Sequence, residues 1–302
     1  MSSQRVIGVD LGGTKILAGS VDGEGNVHER TEVPTPISSP AELIEGIAEA
    51  IGPLVETGMG AIGFGIPTVL DRATGRALDS TNIPLAGVSL GQVMGERFGV
   101  RAAVENDANL AALAEWKLGA GRGVDDLIVL TLGTGVGGGV VNDGELYRGW
   151  AELGHTVVVA DGPVCQGNCT GRGHLEAVAS GNAADRAAEK LWGEGANAEL
   201  LVGRAEEGDA EALEALTGIA HLLGAGIGSF VNTFGAELVI IGGGFGLAAA
   251  EFLFPTALDV ARREALEPAR AGLRLVSAEL GKDAGLIGAG LLALDTLGSP
   301  RE

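Results

Sequence analysis

Cysteine and positive charge are scarce in this 302-residue chain. Its two cysteines, Cys165 and Cys169, cannot build the disulfide framework that staples small secreted domains. Lys and Arg number 20 against 40 Asp and Glu, for a formal net charge of −20. That balance speaks against nucleic acid or an anionic membrane as partner, because both are bound through a positive field. The acidity by itself favours solubility. The opening MSSQRVIGVDLGGTK has no basic stretch followed by an uncharged apolar run, so no secretory leader is expected. Apolar runs are broken again and again by Gly, Asp or Glu and fall short of the roughly 20 residues of a membrane span. The expectation is a soluble, cytoplasmic protein.

What the chain does have is apolar content and glycine. Hydrophobic residues make up 46% and charged ones 20%, a globular composition. The length allows two core-forming units, at about 150 residues per domain. The 52 glycines follow no collagen period and gather at strand ends, where tight turns occur. The first strand is Arg5 to Asp10, and a second, Ile16 to Val21, meets the turn Asp22-Gly23-Glu24-Gly25-Asn26, which reads as a hairpin. Ser39 as N-cap, Pro40 at the first helical position and Glu42 closing a capping box open a helix with Leu43, Ile44, Ile47, Ile51, Leu54 and Val55 on its apolar face. Further strands are predicted at Ala61–Ile66, Val100–Val104, Leu127–Leu132, Gly138–Val141, Thr156–Ala160, Leu238–Ile241 and Leu273–Ala278. Helices are predicted from about Asn109 to Leu118, from Asn182 to Trp192, from Asp209 to about Asn232 and from Ala284 to Leu297. The pattern is α/β in two similar halves, each beginning with a strand, a Gly-rich turn and a hairpin.

Those turns carry the first chemical signal. Asp10-Leu11-Gly12-Gly13-Thr14-Lys15 and Leu132-Gly133-Thr134-Gly135-Val136-Gly137 each follow a strand and set a Thr among glycines, so that backbone N–H groups and a hydroxyl can face a phosphate. One such loop also fits an ordinary hairpin turn; a pair, one in each half, points to a nucleotide held between two lobes. Lys15 offers a counter-charge, and Asp10 at the strand end suits magnesium held through water. Neither loop fits the P-loop or the GxGxxG dinucleotide pattern.

The second signal is His155, Cys165, Cys169 and His174, which gather both cysteines and two of the four histidines in one short segment. Four thiolate and imidazole ligands suit a closed, structural tetrahedral zinc site. A Cys165–Cys169 disulfide and an empty loop are the alternatives. His28, His221, Trp116, Trp150 and Trp192 read as surface or packing residues.

DLGGTK, Glu105-Asn106-Asp107-Ala108-Asn109, LGTGVGGG, Glu152-Leu153-Gly154-His155 and Gly173-His174-Leu175-Glu176 occur in a fixed order. Together they resemble the ROK family of bacterial sugar kinases and sugar-responsive repressors, over nearly the whole chain from Val6 to about Leu297. The resemblance implies the actin-like ATPase (ribonuclease H-like) fold, two lobes around a deep cleft, and a homodimer. Residues 1–115, completed by the closing helix 284–302, would form the small lobe, and 116–283 the large lobe with the zinc loop. It also implies ATP, Mg2+ and a structural Zn2+, with Asp107 as catalytic base. Asn82, Asn106, Asp107, Glu152, His155 and Glu176 would contact the sugar. Asp10, Gly12, Gly13, Thr14, Lys15, Gly133, Thr134, Gly135, Gly137, Gly243 and Gly244 would form the nucleotide site. The residue chemistry agrees: phosphoryl transfer needs positioning, charge neutralisation and one group to take the hydroxyl proton. A carboxylate beside an amide at a strand end can do this, though the same string also reads as a helix N-cap.

The sequence departs from the family pattern in several places. The family usually offers one His and three Cys, its first two Cys separated by one residue. Here Gln166-Gly167-Asn168 separate Cys165 from Cys169, and His174 replaces the third Cys, which keeps a zinc-competent donor. Such a zinc would pin the loop carrying Glu176 against the strand carrying His155. Thr68 and Ala151 stand where Gly is common, and Ala236 where Pro is common. A repressor of this family carries an added N-terminal helix-turn-helix, for which the first strand at Arg5 leaves no room. Contacts from two carboxylates and a His favour an unmodified hexose, glucose above N-acetylmannosamine, N-acetylglucosamine or fructose.

Overall fold

The computed structural model describes residues 4–55, 59–79 and 83–298. Its contacts divide the chain into two units, Met1–Leu118 with Asp283–Glu302, and Gly119–Lys282.

In the first unit, β1 (Arg5–Leu11) turns back into β2 (Lys15–Asp22), paired antiparallel from Arg5↔Asp22 to Leu11↔Ile16. β3 (Val27–Pro34) follows, its side chains mostly exposed and many charged, which keeps this edge from recruiting another strand. Helix α1 (Pro40–Val55) starts where the capping signal puts it. The Ser39 hydroxyl accepts the Glu42 N–H at 3.2 Å, while the Glu42 carboxylate accepts the Ser38 hydroxyl. Leu43, Ile47, Ile51 and Leu54 are buried along its inner face. β4 (Ala61–Ile66) is buried throughout, as a strand covered on both faces should be. A small hairpin, β5 (Val69–Asp71) and β6 (Arg76–Asp79), and α2 (Leu90–Phe98) lead to β7 (Arg101–Asn106) and α3 (Asp107–Leu118). α3 runs through residue 115, so its last turn stays with this unit. The sheet order is β3-β2-β1-β4-β7, with β1, β4 and β7 mutually parallel, and the closing helix Ala284–Gly298 belongs to the same unit.

The second unit repeats this plan. β8 (Leu127–Leu132), β9 (Val136–Asn142) and the short β10 (Glu145–Leu146) form an antiparallel meander. Then come α4 (Leu175–Ala179), α5 (Gly181–Trp192), α6 (Ala198–Glu206), α7 (Ala210–Phe234), β11 (Leu238–Gly242), α8 (Gly244–Ala248), α9 (Ala250–Glu264), α10 (Ala269–Gly272) and β12 (Arg274–Ser277). The order β10-β9-β8-β11-β12, with β8, β11 and β12 parallel, is that of the first sheet. Each unit has its own core, one around Ile7, Phe64 and Ile47, the other around Leu130, Leu223 and Ile241. Helix α7 is long and apolar enough to cross a membrane by length and composition, yet 56% of that window is buried. Its Leu216, Leu223 and Ile227 pack into the second core, where full burial of each is worth about 1.5–3 kcal/mol.

One predicted strand is absent. Thr156–Ala160 is no sheet member: Val157 forms only an isolated bridge with His174, and the Val158 and Val159 N–H groups both donate to the Gly173 carbonyl. The β-branched run has strand propensity, but its backbone partners are in the Cys/His loop, and β10 takes the sheet edge beside β9. His155 accordingly lies on a 3-10 turn, Leu153–His155, and not on a strand.

Candidate active site and metal centre

In the first unit the acidic residues converge. β7 ends at Asn106 and α3 begins at Asp107, so the Glu-Asn-Asp string straddles a strand-to-helix junction. The Asn106 side-chain oxygen accepts the N–H groups of Ala108 at 2.9 Å and Asn109 at 3.1 Å, which caps α3. Asn106 is thus the main cap, and Asp107 shares only the Ala108 N–H, through one of its two carboxylate oxygens. The Asp107 carboxylate accepts the Ala108 N–H at 2.8 Å. Burial pushes its pKa up, against the pull of the Ala108 N–H and its own. Burial, and next the Asp107 carboxylate, push Asp10 up to about 6, with Lys15 pulling the other way. The Lys15 ammonium itself sits 2.9 Å from Glu32 on the surface. Two mutually repelling carboxylates, with the Lys15 ammonium drawn off to another acid, fit a divalent cation with oxygen ligands such as Mg2+.

The Gly12–Lys15 loop is a tight hairpin. The Gly12 N–H donates to the Lys15 carbonyl, the Thr35 hydroxyl donates to the Gly12 carbonyl at 2.7 Å, and Gly13 and Thr14 form the exposed tip. Asn82 lies outside the described residues.

Sequence reasoning passed over the groups that hold this corner. Glu105 is 3% exposed. One carboxylate oxygen accepts the Asn106 N–H at 2.8 Å and the Asn109 amide at 3.0 Å; the other is ion-paired to Arg72. Glu105 stood inside the quoted string, but Arg72 is 33 residues away with no local signal. The carbonyl of Thr68, at the position of the common glycine, accepts the Asn106 amide at 3.4 Å. Gly285, in the first turn of the closing helix, was missed too: a Cβ there would stand 3.0 Å from the Asp10 carboxylate.

In the second unit the loop Gly133–Gly135 joins β8 to β9 and is held on three sides. The Gly181 N–H at the start of α5 donates to the Gly133 carbonyl at 2.7 Å, the Gln166 amide donates to the Thr134 carbonyl at 3.1 Å, and Glu176 accepts the Val136 N–H at 2.9 Å. Thr134 is exposed. Gly137 lies inside β9, paired with Thr131. Gly243 has φ +81°, and a Cβ there would strike the Leu132 backbone, so only glycine lets α8 start this close to β8. The loop opens on a cavity of about 1330 Å3 lined by Gly133, Thr134, Asn182, Asp185, Gly244 and Phe245, with α6 along another wall. Sequence reasoning named three of these six; α6, Asp185 and Phe245 carry no phosphate-loop signal, since they meet only in the folded unit.

His155, Cys165, Cys169 and His174 bring one ligand atom each within 4.8 Å of one another. His155 Nδ1 is 3.2 Å from His174 Nδ1, Cys165 Sγ 3.8 Å from His155 Nδ1, and Cys169 Sγ 3.5 Å from His174 Nδ1. The edges of a tetrahedron with Zn–N and Zn–S bonds of ordinary length are about 3.3–3.8 Å. Donor chemistry and spacing both fit zinc. Both cysteines are free thiols. Burial, followed by Cys169 and Glu176, pushes the Cys165 thiol up to about 11. His155 turns Nδ1 to the quartet, which leaves its other nitrogen, Nε2, for a partner outside it. Glu152 precedes the same 3-10 turn and is exposed. Glu176 accepts the Cys165 thiol at Oε1, 3.7 Å away, and the Val136 N–H at Oε2, and so bridges the quartet and the Gly133–Gly135 loop.

Comparison with known proteins bears on this arrangement. A family model described as "ROK family" matches residues 6–296. A glucokinase of Thermotoga maritima is 37% identical, over 99% of this chain and 100% of its own length. An N-acetylmannosamine kinase of Escherichia coli O157:H7 is 33% identical, over 95% of this chain and 97% of its own. The crystal structure of a ROK family glucokinase from Streptomyces griseus, in complex with glucose and AMPPNP, superposes with a TM-score of 0.83 at 33% identity, covering 96% of this chain and 99% of that one. The α/β fold with its repeated sheet order is the actin-like ATPase fold.

Proposed function

The chain belongs to the ROK family, and on that premise we propose that it is an ATP-dependent sugar kinase whose acceptor is a hexose hydroxyl, glucose giving glucose 6-phosphate. The observation that carries this reading is Asp107: a carboxylate at a strand-to-helix junction, its pKa raised by burial and its backbone fixed by the Asn106 cap and the Glu105–Arg72 pair. A base whose pKa is lifted toward neutrality is matched to taking a proton in the transition state.

In the step proposed, the sugar O–H proton passes to Asp107 as the oxygen bonds to the γ-phosphorus. The bond from that phosphorus to the β,γ-bridging oxygen breaks, and ADP leaves with the electron pair. Asn106 orients the acceptor, and Glu152, His155 through Nε2, and Glu176 hold the other ring hydroxyls. Asn82 is a further proposed contact. The Gly12–Lys15 and Gly133–Gly135 loops hold the phosphates through the N–H groups that their own turns leave free, and the adenosine occupies the cavity beside Gly243 and Gly244. Mg2+, held near Asp10, supplies charge neutralisation on the phosphates when bound. Zinc on His155, Cys165, Cys169 and His174 is structural. The working form is a cytoplasmic homodimer in carbohydrate breakdown.

N-acetylmannosamine is the alternative acceptor, favoured by a relative of that activity at 33% identity. A coupled assay with ATP and a panel of hexoses, N-acetyl hexosamines and fructose decides, reported as kcat/KM ratios. Glucose is expected to lead, and Asp107→Asn to lower kcat by about 10²–10⁴ with the fold intact. A folded protein that phosphorylates none of these sugars would overturn the reading.

A further inference from the structure

The inserted segment between the cysteines does more than lengthen a loop. Gln166 extends from it with both ends of its amide engaged: Nε2 donates to the Thr134 carbonyl at 3.1 Å, and Oε1 accepts the Asn182 side-chain amide at 2.7 Å. Asn182 lies in the first turn of α5, and its own N–H approaches the same Thr134 carbonyl at 3.4 Å. The Gln166 carbonyl meanwhile accepts the Cys169 N–H at 3.3 Å, which folds the segment around the metal quartet. One side chain thus joins three elements: the Cys/His loop, the tip of the Gly133–Gly135 loop and the N-terminus of α5.

We infer that Gln166 is a positioning residue for the nucleotide, acting through Thr134, and that metal occupancy of the quartet is thereby coupled to nucleotide affinity. The chemistry is directional. A carbonyl pulled toward Gln166 and Asn182 turns its peptide so that the following N–H, on Gly135, points to the opposite side. A loop whose carbonyls are taken up from behind presents the Thr134 and Gly135 N–H groups and the Thr134 hydroxyl forward, the orientation an anionic phosphate requires. When the quartet is filled, the backbone from Cys165 to Cys169 is fixed, and the Gln166 amide is held at its two partners at little further entropic cost. When it is empty, each nucleotide-binding event must order that segment first, which lowers apparent affinity. This inference rests on the kinase reading for the identity of its ligand. It goes beyond that reading in tying the metal to the nucleotide and not only to the sugar.

The test measures equilibrium binding of AMPPNP with Mg2+ by calorimetry, alongside steady-state kinetics, for wild type, Gln166→Ala and Gln166→Met, each as purified and after removal of zinc with a chelator. Gln166→Met keeps the volume without the hydrogen bonds, so it separates lost bonds from a collapsed loop. Both variants are expected to weaken AMPPNP binding and raise KM for ATP by about three- to tenfold, the size of one or two lost hydrogen bonds. KM for the sugar should move less than about twofold, the split that separates a positioning role from general damage. Zinc removal should weaken AMPPNP binding by a similar factor in wild type and add little in either variant, because the link is already cut. Three results would overturn the inference: unchanged AMPPNP affinity in both variants, equal losses for nucleotide and sugar, or a zinc effect as large in the variants as in wild type. A wild type that binds AMPPNP but phosphorylates no sugar would instead remove the kinase reading and leave the coupling standing.

Discussion

Asp10 and Asp107 set the behaviour of the first unit with pH. Asp10 is pushed up to about 6, by burial first and then by the Asp107 carboxylate. The unfolded chain holds this carboxyl at its ordinary lower value, so between the two values the folded state binds the additional proton. The contribution of Asp10 to stability is therefore full below the ordinary carboxylate range and is lost as pH rises through about 6. Asp10→Asn should then have a higher Tm than wild type at about pH 8 without divalent cations, and the difference should close toward about pH 4. A thermal-unfolding series over that range checks it. A gap that widened on acidification would mean that Asp10 is held by favourable partners and not by repulsion. Glu105 differs in its partners: two N–H donors and the Arg72 guanidinium take up its oxygens deep in the unit.

At the scale of elements, the informative joint is the start of α5. The buried Ser180 hydroxyl accepts the Ala183 N–H at 3.2 Å, and the next two residues donate to the Gly133 and Thr134 carbonyls. Ser180→Ala should cost about 1 kcal/mol of stability through the lost cap. It should also weaken nucleotide binding, because the loop rests on that helix end. Urea unfolding and calorimetry separate the two effects. This joint shows where sequence reading succeeds and where it stops. Strands with unbroken apolar runs, such as β8, and helices with a cap and a 3.6-residue period, such as α1, were legible because local chemistry and tertiary burial agree there. The loops were legible as glycine-rich turns beside a threonine. Their supports were not: Gln166 reaches Thr134 across 32 positions and Arg72 reaches Glu105 across 33, and no local pattern announces such a partner. Thr156–Ala160 failed for the opposite reason, a clear local propensity overridden by hydrogen bonds to the metal loop.

For the molecule as a whole, each unit has a sheet of the same order and a core of its own, and the metal quartet belongs to the second unit alone. The quartet fastens little regular structure, two isolated bridges, a 3-10 turn and a helix of five residues, and Glu176 and Gln166 tie that segment to β9 and to the Gly133–Gly135 loop. Where so few ladder hydrogen bonds are present, binding free energy of a zinc ion would supply the local stability, and chelation would remove it. Zinc should be released at roughly one ion per chain. Amide exchange should then rise in residues 153–179 and in the Gly133–Gly135 loop, while β1, β4 and the closing helix keep their protection. Acidification should produce the same pattern without a chelator, because zinc requires Cys165 and Cys169 as thiolates and His155 and His174 as free bases, and protons compete for all four. Hydrogen exchange followed by mass spectrometry reads both arms. Uniform deprotection of both units on metal removal would show that the ion supports global folding instead, and purification with well under one zinc per chain would show that this loop holds its shape without it.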